Sequence, residues 1–276
     1  VTDYTAAIQA DDFDLRNVSP LKTETPLPKL GHAGRVTPKL KLSNYVHSDA
    51  PQVPKAVHRS HLEHNFPMYG NDRLSDCGEA MGLKGIEAFH LDAHTPVPPF
   101  TEADAERLYE EVGGYVPGDP ATDNGTDNQV LVEWWQSHGV TCAADKSTHK
   151  IVATVEVDPK DVALNQRAIW EFVVLFRAVG LPVTAQGQRA WDVADPSLQG
   201  PAALGSWGYH DVPYLSYDGS RYRVETWGSN LLATYAFDAA YAVGGFVVVT
   251  EEQLDKKGMS PAGFDWTKLN ADVRSL

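Results

Sequence analysis

The chain has 276 residues, 42% of them hydrophobic, enough for one large domain or two lobes with sizeable cores. Its formal charge of −14 disfavours nucleic acid and anionic membranes by Coulomb repulsion, leaving neutral or cationic partners. Two cysteines, Cys77 and Cys142, cannot build a disulfide framework, so both read as free thiols.

The N-terminal VTDYTAAIQADDFDLR is acidic, without a basic leader or apolar run, so no retained secretion signal is expected. Residues 1–60 interleave Pro20, Pro26, Pro28, Pro38, Pro51 and Pro54 with lysines, without a repeating apolar period. They read as an extended arm outside the core, held by the protein's own surface or by a neighbouring chain. The remainder, 61–276, divides into a helical part to about residue 145 and a β-rich part after it.

The first helix is expected from Asp76, with Ala80, Leu83, Ile86 and Ala88 among its apolar positions. Asp76 as N-cap and Glu79 form an acidic version of the capping box, which puts Cys77 at the first helical residue. Further helices are read at TEADAERLYEEVG, capped by Thr101, at TDNQVLVEWWQSHGV, and at NQRAIWEFVVLFRAVG ending at Gly180. Strands are read at KIVATVEVD, LPVTAQG, VPYLSYDGSRYRVETW and GFVVVT, with Asp218-Gly219 turning a hairpin. The run at 231–249 approaches the roughly 20 residues of a membrane span. Asp238 inside it and the Gly244-Gly245 pair argue for a loop or short helix followed by a core strand. Helices early and strands late make the fold class α+β with two lobes.

A helix N-terminus favours the thiolate, because its unpaired N–H groups and macrodipole attract negative charge. Cys77 has that placement, and a nucleophilic thiol needs a base and an orienting acceptor behind it. His210 opens the hairpin and Glu225 closes it, so the turn brings them together, with Trp227 placed to shield a Glu225–His210 bond. Other clusters read as solvated or structural. His58, His61 and His64, and the pair His90 and His94, lack a third ligand or the glutamate of a zincin; no metal and no cofactor are expected. DPATDNGTDN lacks the closing glutamate of a calcium loop, and Cys142 reads as core.

His210 and Glu225 follow Cys77 by 133 and 148 residues, within the about 130 to 150 of papain-type enzymes. Here the chain resembles the papain-like cysteine peptidases. VETWGSN is similar to that family's NSWG segment with Glu225 at the asparagine, GYHDVPYLSYDG resembles its histidine strand, and DCGEA looks like the bacteriocin-processing branch. Similarity covers about residues 65–250. It implies a helical lobe followed by an antiparallel, barrel-like β lobe, and hydrolysis of peptide or isopeptide bonds through Cys77, His210 and Glu225. Asn71 would then sit in the oxyanion hole, and residues 186–208 would wall the cleft with Trp191, Trp207 and Tyr209. A second expectation comes from GNDRLSDC, which resembles papain-like chains of bacteriophages and actinobacteria. It is a weakly active or inactive structural protein, cytoplasmic or in a virion, whose arm docks on a protein partner or a second copy.

Overall fold

The computed structural model describes residues 40–62, 66–188 and 190–276. Residues 1–39 of the expected arm and His64 lie outside these. In chain order the elements are β1 Leu40–Lys41, α1 Cys77–Asp92, α2 Glu102–Gly113, α3 Asn128–Ser137, β2 Val140–Thr141, β3 Thr148–His149, β4 Ala153–Glu156, α4 Val162–Phe172 and β5 Leu175–Leu181. They continue with β6 Ala190–Trp191, β7 Gly208–Tyr217, β8 Arg221–Thr226, β9 Ser229–Thr234, α5 Tyr235–Tyr241, β10 Ala242–Val249, α6 Glu251–Leu254 and α7 Trp266–Val273.

Eight strands form one sheet in the order β1-β4-β10-β5-β7-β8-β9-β6. The end pairs β1–β4 and β6–β9 are parallel and the inner ones antiparallel. The sheet is open, so the expected barrel does not close.

Strand alternation divides the core in two. On β10, Val247 and Val249 join one cluster with α4, α5 and α7. Phe246 and Val248, on the other face, join α1, α2 and α3. On β7, Val212 and Tyr214 belong to the first cluster and Leu215 to the second.

Helix α1 is buried from Cys77 to Ala88, which explains its glycines. A Cβ at Gly85 would lie 2.5 Å from the Phe176 ring of β5. This close approach brings the helix down onto the sheet.

Three local expectations are corrected. The expected fourth helix stops at Phe172, and LFRAVGL is strand β5. Every residue of that strand is buried, and a short, almost wholly apolar run carries no period to separate helix from strand. LPVTAQG holds a 3-10 turn at Val183–Ala185 instead of a strand. Of the arm expected to stay outside the core, Leu40, Leu42, Tyr45 and Val57 are core residues. Val57 exchanges backbone hydrogen bonds with Tyr217 at 2.8 and 3.2 Å, so the protein's own sheet holds this stretch.

Candidate active site

The turn before α1 sets the position of the thiol. Gly70, at φ +85°, accepts from the N–H groups of Arg73 and Leu74. Asp76 then takes the N-cap position, and Cys77 is the first residue of α1. The expected reciprocal cap does not form, because both carboxyls turn inward. Asp76 Oδ1 accepts from Asn71 Nδ2 at 3.2 Å, and Glu79 Oε1 accepts from the Thr126 hydroxyl at 2.5 Å. Burial, reinforced by Glu79, pushes Asp76 up to about 8, and burial pushes Glu79 up to about 7. Asn71, expected in an oxyanion hole, gives its amide hydrogens to Asp76 and to the Leu74 carbonyl.

Cys77 is 1% exposed. Its Sγ donates to Asp211 Oδ2 at 3.7 Å, while Asn128 Nδ2, at the start of α3, donates to Asp211 Oδ1 at 2.7 Å. Burial drives Asp211 up to about 7, opposed by its bonds to Asn128 and Cys77. Gly78 lets α3 come close beside this carboxylate, since a Cβ there would lie 3.3 Å from Leu131 and 3.4 Å from Asn128 Oδ1.

His210 is held differently from the sequence expectation. Its Nε2 is 2.7 Å from Thr226 Oγ1, and the Trp227 indole stacks on the ring with centroids 4.3 Å apart and planes 10° apart. Nδ1 has no partner among the described residues. Burial, with the nearby Lys84 ammonium, pulls the imidazole down to about 3.

Glu225 makes no hydrogen bond through either oxygen among the described residues. Lys84 Nζ lies 3.8 Å from its Oε1. Burial raises Glu225 to about 8 although Lys84 and Arg223 pull it down. The expected Glu225–His210 bond is therefore absent. Alternation is the reason: Tyr222, Val224 and Thr226 share one face of β8, whereas Glu225 points from the other toward Lys84 of α1. On β7 it is Asp211 whose carboxylate meets the Cys77 thiol, while the neighbouring His210 bonds across to Thr226 of β8.

Asn71, Cys77, Lys84, His210, Asp211 and Glu225 nonetheless border one crevice, too tight to hold a water molecule. Of the three aromatics expected to wall a cleft, Trp191 is 0% exposed, packed on Phe237 and Trp227 in the core. Trp207 and Tyr209 are half-buried, and Trp207 rests on Trp227 with centroids 5.6 Å apart.

Sequence reasoning missed Asp211, Thr226, Lys84 and Asn128. Two signals were present. Strand alternation separates Asp211 from His210 and Thr226 from Glu225, and Lys84 stands two helical turns after Cys77, on the same face of α1.

No protein-family model matches the chain, and no curated protein sequence matches it. Solved structures do. Xylellain, a cysteine protease from Xylella fastidiosa, aligns with TM-score 0.58 at 14% identity over 82% of this chain and 99% of its own. The procathepsin B of Trypanosoma congolense aligns with TM-score 0.56 at 11% identity over 80% and 86%. Procathepsin L 3 of the Tenebrio molitor larval midgut gives TM-score 0.54 at 12% identity over 78% and 75%. At these identities the likeness is one of architecture. The chain has the papain-like cysteine-protease fold.

Proposed function

We propose that this chain is a thiol peptidase acting on peptide or protein substrates, with Cys77 as nucleophile and His210 as base. The observation that carries the reading is the shared pocket. The thiol at the first residue of α1 and an imidazole with an unpartnered Nδ1 border the same small space, the ring fixed by Trp227. Transfer of the Sγ proton to Nδ1 gives the thiolate that attacks a carbonyl carbon. The imidazolium then protonates the leaving amine, and water hydrolyses the thioester. The Cys77 N–H, with Asn71 once released from Asp76, would bind the oxyanion.

The described state is closed. Asp211 holds the thiol and the pocket excludes water, so a substrate requires β7 and α1 to part. Iodoacetamide labelling mapped by mass spectrometry, with hydrolysis of an unfolded protein substrate, tests the reading. Cys77 should alkylate faster than Cys142, and Cys77→Ala should abolish hydrolysis. Equal, slow labelling of both thiols without hydrolysis would overturn it.

The sealed pocket and the commitment of Glu225 to Lys84 favour a second reading. Here the fold serves as a structural or assembly component, of a virion among other particles, docking on a partner or a second copy. A monomer by light scattering whose first residues are rapidly proteolysed would count against it. Among the described residues no helix is long and apolar enough to cross a membrane.

A further inference from the structure

We propose that Thr226 is the positioning residue of His210, in the role that the sequence assigns to Glu225; this rests on the peptidase reading. The Thr226 hydroxyl is the one hydrogen-bond partner of the ring among the described residues, at 2.7 Å from Nε2. A hydroxyl can accept as well as donate. When Nε2–H donates to Oγ1, the ring's basic lone pair lies on Nδ1, the nitrogen that has no partner. Once β7 and α1 part and water relieves the burial that keeps the ring neutral, the thiol leaves Asp211, its proton passes from Sγ to Nδ1, and the imidazolium keeps its Nε2–H on Thr226. The stacked indole of Trp227 blocks the ring flip that would exchange the two nitrogens.

Glu225 is withdrawn from this task by two independent features. Its side chain leaves the opposite face of β8, and Lys84 Nζ stands 3.8 Å from its carboxylate. A carboxylate would set a full negative charge beside the charged ring, whereas a hydroxyl that accepts from Nε2–H holds the same tautomer with only a neutral hydrogen bond. The base is then kept neutral by its surroundings, in line with the downward pull of burial on His210.

The test combines ¹⁵N NMR of the histidine rings with peptide kinetics on the full chain. The wild-type His210 ring should be the Nε2–H tautomer with a slowly exchanging proton. Thr226→Ser should keep that signature and turn over within about threefold of wild type. Thr226→Val should lose it and lower kcat by about 10- to 100-fold with KM unchanged, a fraction of a full general-base contribution. An Nδ1–H tautomer in the wild type, or a Thr226→Val protein with wild-type ring shifts and kcat, would overturn the assignment. So would a greater loss of kcat in Glu225→Gln than in Thr226→Val. Hydrolysis that survives Cys77→Ala would overturn the peptidase reading instead, and the tautomer, which needs no turnover, would still decide whether Thr226 holds the ring.

Discussion

Replacing Asp211 by asparagine isolates the electrostatic cost of closing the pocket. Asp211 is 3% exposed, and burial raises it from 3.8 to about 7. Between about pH 4 and pH 7 the folded chain keeps a proton on this group that the unfolded chain releases. Raising the pH across that window therefore favours unfolding. The gap between 3.8 and about 7 corresponds to about 4 kcal/mol, absent at pH 4 and fully expressed above pH 7. The amide put in its place would still accept from Asn128 through its carbonyl oxygen, losing the thiol contact at a cost of about 1 kcal/mol at every pH. The stability of Asp211→Asn relative to wild type should thus climb by about 4 kcal/mol from pH 4 to pH 7.5. Urea melts followed by tryptophan fluorescence at four or five pH values measure that difference directly, and effects common to both proteins cancel. A difference that stays flat with pH, or falls, refutes the argument that Asp211 is buried against its ionisation.

Two packing changes test the sheet and its helix. Gly85→Ala gains up to about 1 kcal/mol of helix propensity but drives a methyl to 2.5 Å from Phe176. That ring is locked against Phe246 and Trp135 at centroid distances of 5.2 and 5.9 Å. Overpacking of about 1–3 kcal/mol should prevail; calorimetry should show a lower Tm, and a raised one would refute the close approach of α1 to β5. Arg177→Met removes the buried cation 3.1 Å from Asp238 and leaves that carboxylate with only two neutral donors, the Tyr214 hydroxyl at 3.0 Å and the Asn165 amide at 3.5 Å, among the described residues. The expected loss is about 3–5 kcal/mol in chemical denaturation, and a neutral result would mean that the pair contributes nothing net.

Local chemistry explains which elements were legible in the sequence. Asp218-Gly219 marked the turn joining β7 to β8, and the Thr101 N–H does donate to the Asp104 carboxylate at 2.9 Å at the start of α2. At Val173 the backbone turns to φ +72°, a reversal for a β-branched residue that no propensity announces, and there helix gives way to β5. The thiol's place at the head of α1 was readable because an N-cap is a local event. The partners of the candidate site residues were not, since a single step along a strand exchanges one face for the other. Thus Asp211 stands where the imidazole was expected, and Thr226 where Glu225 was.

The pocket that shuts water away from Cys77 also shuts out peroxide. Oxidation of a thiol to sulfenic and higher acids requires an oxidant to touch the sulfur, and here it can do so only while β7 and α1 stand apart. Damage therefore accumulates in proportion to the time those two elements spend apart rather than to age.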